Sequence, residues 1–140
     1  MKIALAVLAG VGLVGAGVAA AQAAEAPDPA AAQKGRLIYT RYCGSCHGPD
    51  ARGDGSLAAD LKVPPADLTK LSLGNGGHFP YELVVRAIDG RQKTRGHGVP
   101  DMPVWGEVFP KTQGTESPSV ESAVGRLAHY LWSIQQTAVK

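Results

Sequence analysis

Apolar residues recur on a helical period in three parts of the chain, separated by long stretches rich in glycine and proline. Asp28 followed by Pro29 is a helix N-cap and first residue, and the pattern behind them predicts a helix to about Tyr42 with Gly35, Ile38, Tyr39 and Tyr42 on one broad face. Gly35 lowers helix propensity, so its use there is close approach of another element. Pro80 to Asp89 reads as a short helix that buries Leu83, Val84, Ala87 and Ile88 and stops at Gly90. The last helix is the clearest, with Ser117 as cap, Pro118 in the first turn, and Val120, Val124, Leu127, Leu131 and Ile134 recurring at four, three, four and three. Val104 to Phe109 supports one or two further turns. Residues 43 to 77 and the rest of 91 to 116 lack a sustained period, and no alternating stretch predicts a strand. The pattern gives three or four short helices whose connections are too long for a simple bundle. Loops of that length make sense when they wrap something rigid.

The first segment belongs to a different kind of pattern. Behind Met1 and Lys2, residues Ile3 to Ala21 are all Ala, Val, Leu, Ile or Gly, and small residues follow at Ala23 and Ala24. This is the layout of a secretory signal over residues 1–24, cut near Ala23 or Ala24; an uncleaved anchor is the rival. Residues 25–140 then form one domain in the periplasm, free or anchored to the outer face of the cytoplasmic membrane. At 140 residues the chain has no room for two domains. Its formal charge of +2 falls to +1 when Lys2 leaves with the leader, and the charges are scattered, so it has no basic stripe for a nucleic acid. With 44% apolar residues it is not a disordered tail, yet 6% aromatic residues make a thin core. Something other than side chains is expected to complete it.

Cys43, Gly44, Ser45, Cys46 and His47 supply the candidate. C-x-x-C-H is the attachment sequence for c-type haem: two thiols add to the two vinyl groups, and the adjacent imidazole reaches the iron. A redox C-x-x-C or a structural disulfide would not need His47 beside it. A zinc site needs about four ligands, and His78, His97 and His129 do not stand at finger spacing. Candidates for the second axial position are Met102, His78, His97 and His129. Met102 is preferred, because Pro100 and Pro103 stiffen its segment and a lone methionine in a proline-flanked loop is an odd core filler. His97, between two glycines, is its main competitor, while His129 is expected on the partly exposed side of the last helix.

With CGSCH at 43–47, PPADLT at 64–69, DMPVWG at 101–106 and LAHYLWSI at 127–134, residues 28 to 136 resemble a class I single-haem c-type cytochrome of the bacterial periplasmic type. The resemblance implies an all-α cytochrome c fold of three to four short helices and long loops around one covalent haem c. Its first and last helices would cross near Gly35 and Tyr39 against Leu127, Tyr130 and Leu131. It implies His47 and Met102 as the axial pair and the carbonyl of Pro64 or Pro65 as acceptor for the His47 ring. Trp105 either packs near the haem or fills the core. Arg52, Arg86, Arg91 and Arg95 either pair with propionates or are solvated.

The implied activity is electron transfer, with no catalytic residue. Partners would be redox proteins: a quinol-oxidising complex or dehydrogenase on one side, a terminal oxidase or reductase on the other, with membrane contact only if the N-terminal segment is retained. A diffusible or tethered shuttle is the main reading. A fixed haem subunit of a larger oxidoreductase, and a small-molecule sensor or peroxidase-like enzyme with a displaceable Met102, are the alternatives.

Overall fold

The computed structural model describes residues 26–91, 102–113 and 122–136. Among them it forms five α-helices: α1 (Pro29–Tyr42), α2 (Gly44–His47), α3 (Tyr81–Asp89), α4 (Trp105–Gln113) and α5 (Ala123–Ser133). Three single 3-10 turns, Ala58–Asp60, Leu68–Lys70 and Leu73–Asn75, punctuate the long loop, and no strand occurs among the described residues. The signal or anchor segment 1–24 lies outside them. None of the described helices is long and apolar enough to cross a membrane.

Local signals start the two longest helices. The Asp28 carboxylate accepts from Ala31 N at 2.6 Å, and Pro29 occupies the position where a missing N–H costs nothing. Ser122 caps α5, its hydroxyl accepting from Gly125 N at 3.0 Å. The expected Ser117 cap, with Pro118 and Val120, falls outside the described residues.

The core forms where α1 and α5 cross. A β-carbon built on Gly35 would lie 2.0 Å from the Arg126 carbonyl oxygen, so backbone meets backbone there and glycine alone fits. One turn on, the rings of Tyr39 and Tyr130 lie 5.1 Å apart. Around this crossing α3 and α4 add Val84, Val85, Ile88, Trp105 and Phe109 to Ile38, Tyr39, Leu127 and Leu131. The chain end then stitches the long loop to α5. Gln135 Nε2 donates to Leu68 O at 2.7 Å while its Oε1 accepts from Ser72 N at 2.8 Å, and Gln136 N donates to Thr69 O at 2.8 Å.

Three expectations change. Helix α3 buries Val84, Val85 and Ile88, whereas Leu83 is 58% exposed and Ala87 faces solvent. Tyr81 sets this rotation: its ring lies against His129 and Trp132 of α5, and residues three, four and seven further on share its face. Helix α4 runs nine residues, beyond the one or two turns expected. His129 is buried, 3% exposed, because α5 is covered on several sides. Its Nδ1 accepts from Asp28 N at 2.9 Å, which joins the start of α1 to α5, and burial holds the imidazole below its ordinary value against the opposing pull of Asp28.

Two outcomes follow. Gly35→Ala should destabilise the protein by about 2 kcal/mol or more in urea unfolding, since neither backbone can retreat without separating the helices. For His129 the unfolded chain binds the proton more readily than the folded one. Its contribution to stability is therefore complete above the ordinary imidazole value of 6.5 and is lost as pH falls through the lower folded value. Stability measured down that window should fall in the wild type and fall less in His129→Gln.

Candidate functional site

Helix α2 continues almost directly from α1. The Cys43 N–H donates to Tyr39 O at 2.8 Å to close α1, and Cys43 O then accepts from His47 N at 2.9 Å to open the next turn. In this four-residue helix Gly44 O accepts from the capping Gly48 N at 2.9 Å, and the last three carbonyls have no partner within it. The loop that returns past it supplies them: Leu57 N to Ser45 O at 2.9 Å, Gly55 N to Cys46 O at 3.1 Å and Gly53 N to His47 O at 2.8 Å. Gly55 permits this approach, since a β-carbon on it would stand 2.3 Å from Ser45 O. From the other side the buried Tyr39 hydroxyl donates to Gly48 O at 2.6 Å, and burial raises that phenol far above its ordinary range, so it stays a donor.

Cys43, Cys46 and His47 therefore share one rigid turn. Both thiols are unpaired and half-buried. Burial, then the neighbouring Cys46, pushes the Cys43 thiol up to about 12, the opposite of the activation a redox thiol requires. The His47 ring is half-buried and burial lowers its pKa, which favours the neutral imidazole. Its Nδ1 lies 3.4 Å from the Ala66 carbonyl, a contact at the long end of hydrogen bonding. The resemblance points to the Pro64 or Pro65 carbonyl, and here the carbonyl nearest Nδ1 is that of the next residue, Ala66. The Pro65 carbonyl is directed at Gly53, where a β-carbon would come within 2.3 Å of it, and the following residue is left to face the imidazole. With a proton on Nδ1 held toward Ala66, the Nε2 lone pair is the one available to a metal.

Met102 is half-buried and packs against the core cluster that Cys43 also touches. Trp105, three residues on, is buried and stacks on Phe109 at 4.9 Å, and both rings meet Tyr42 edge-on at 5.6 Å. Trp105 thus fills the core while linking the Met102 segment to the residue before Cys43. His78 is exposed, and Arg95 and His97 lie outside the described residues. Arg91 pairs with Asp89 at 2.8 Å. Arg52 and Arg86 face solvent.

The side chains fit a c-type haem by their chemistry: two half-buried thiols and an imidazole on one turn, and a half-buried thioether against the same core. Leu57, anchored to Ser45 through its backbone, is 47% exposed and Val63 in the same loop 67%, apolar surface left open among the described residues. Among the described residues no three His, Cys, Asp or Glu side chains converge as a cage for a metal ion. Ala66 and the Asp89–Arg91 pair escape sequence reasoning, the first because a backbone acceptor has no side-chain signature.

These features define an all-α, cytochrome c-like domain. Residues 30–113, more than half of the chain, match the family described as cytochrome C oxidase, cbb3-type, subunit III, and the chain belongs to that family. No match was found among curated proteins or among solved structures. Membership makes the chain a non-catalytic, haem-binding subunit of a larger oxidoreductase complex. It corrects the assignment to the free-standing class I single-haem periplasmic cytochromes. An attachment motif and a helix crossing serve a haem equally well in a diffusing domain and in a fixed one, so they do not separate the two.

Because Trp105 joins Tyr42 to α4, Trp105→Ala should cost about 3–5 kcal/mol in urea unfolding, whereas Trp105→Phe, which keeps a ring on Phe109, should cost much less.

Proposed function

We propose that the chain is a fixed electron-transfer subunit of a cbb3-type terminal oxidase. In this reading it carries one haem c on Cys43 and Cys46, with His47 and Met102 as axial ligands, on the periplasmic side of the membrane. The observation that carries the proposal is the C-x-x-C-H turn clamped between α1 and residues 53–57, inside the span that matches the oxidase subunit family. Residues 1–24 serve as signal or anchor, and the partners are the other subunits of the oxidase and the donor that feeds it.

A bound haem c supplies a one-electron couple between ferric and ferrous iron. The residues do the rest without acid–base chemistry. Cys43 and Cys46 would hold the group covalently, and the backbone clamp on α2 keeps their spacing fixed. His47, oriented by Ala66, donates through Nε2. A Met102 thioether and an apolar surround both favour the reduced iron and so raise the potential. With a formal charge near zero the domain gains little from long-range steering, which suits a subunit held beside its partner more than a carrier that must find it.

The test uses matured protein isolated from its native membrane. Met102→Ala should abolish the far-red methionine-to-iron charge-transfer band and lower the potential while the haem stays covalently attached; an unchanged band excludes Met102 as ligand. Wild-type protein should co-purify in fixed ratio with a haem–copper oxidase and be reduced within that assembly. Recovery only as a separate, freely exchanging protein would contradict the fixed-subunit reading.

A further inference from the structure

The Met102 segment enters α4 directly, and what holds that entry is an ion pair at the end of α3. Asp89 is the last residue of α3, 9% exposed. Its carboxylate receives Arg91 through both Nε, at 2.9 Å to Oδ1, and Nη2, at 2.8 Å to Oδ2, as well as through the Arg91 backbone N–H at 3.1 Å. Hydrogen bonding from the Arg91 guanidinium holds the Asp89 carboxyl below its usual range, against the opposing effect of burial.

This fork rests on the first turn of α4. A β-carbon on Gly106 would lie 2.6 Å from Arg91 Nε and 2.6 Å from Asp89 Oδ2. Between Asp89 and Arg91, a β-carbon on Gly90 would lie 3.4 Å from the Cα of Val104, two residues before Gly106. Residues 89–91 and 104–106 therefore touch along their length, and Met102 stands two residues before the contact begins. The same turn is also gripped by Tyr42, whose ring meets Trp105 and Phe109. An ionised carboxylate beside the first turn of a nine-residue helix also complements the positive end of its dipole.

We propose that Asp89 and Arg91, seated on Gly106, are positioning residues that fix the Met102 thioether, and so set how readily another ligand displaces it. The inference rests on the reading of Met102 as axial ligand. A thioether is a weak donor, and its hold depends on how little the segment carrying it moves. Tyr42 fixes that segment toward the attachment site and the Asp89–Arg91 fork fixes it toward α3. Loosening the fork raises the fraction of molecules with the thioether withdrawn, and the apparent affinity for an external ligand rises by the same factor.

The experiment titrates imidazole into the oxidised, matured holoprotein and follows the methionine-to-iron band, with thermal unfolding in parallel. Asp89→Asn, Arg91→Gln and Gly106→Ala, the last displacing the fork without removing its charges, should each raise imidazole affinity about tenfold or more and weaken the band. Arg91→Lys, which keeps the charge and loses the two-pronged geometry, should fall between Arg91→Gln and wild type. If Asp89→Asn does not accumulate, the Arg91 side chain, 41% exposed, still gives a variant that folds. Unchanged imidazole affinity and band in Arg91→Gln and Gly106→Ala, with only a lower unfolding temperature, overturn the proposal and leave the pair a structural brace. A wild-type protein without the band, or Met102→Ala with it, overturns the ligand reading itself and this inference with it.

Discussion

The backbone contact of Gly35 with the Arg126 carbonyl determines how close α1 and α5 lie, and the rest of the domain is referred to that distance. It places Tyr39 against Tyr130, and from there the Tyr39 hydroxyl reaches the carbonyl of Gly48 at the end of α2. Because α2 follows α1 without an intervening loop, the direction of α1 fixes the direction of the Cys43–His47 turn. At its far end α5 delivers Gln135 and Gln136 to the loop around residues 68–72. The crossing thus orients both the candidate attachment turn and the loop that passes beneath it.

Regular structure contributes little to the region between α2 and α3, and backbone pairing replaces it. The last three carbonyls of this helical turn would be unsatisfied if the returning chain did not offer N–H groups at every second residue, and Gly53 and Gly55 allow the approach. Exposed apolar side chains such as Leu57 and Val63 sit in this same loop, so among the described residues its surface is left partly apolar. A large apolar group held beside α2 would account for both. It also explains how a chain with so few aromatic residues sustains loops of this length.

Much of this was legible where a local rule applies. The Asp28 cap, Pro29, the end of α1, the Gly90 stop and the close-approach role of Gly35 each follow from a few neighbouring residues, and the attachment motif is itself local. What escaped needs tertiary information. The buried face of α3 is set by Tyr81 meeting α5, not by the period alone. His129 is buried because α1 begins beside it, and the carbonyl nearest the His47 ring, that of Ala66, is a backbone group with no side-chain signature. The Asp89–Arg91 fork has no motif: two charged residues flanking a glycine usually signal a solvated turn. Whether such a domain diffuses or is fixed is a property of its partners, which is why family membership in a cbb3-type oxidase subunit, and not any residue pattern, redirected the functional reading.

The most direct measurement is the intact mass of the mature chain, purified after expression with working haem-attachment machinery, together with a thiol count. The expected result is the polypeptide plus one haem, retained in acidified acetone, with neither Cys43 nor Cys46 free. A mass equal to the bare polypeptide with a Cys43–Cys46 disulfide would contradict the central claim and remove the ligand role of Met102 with it.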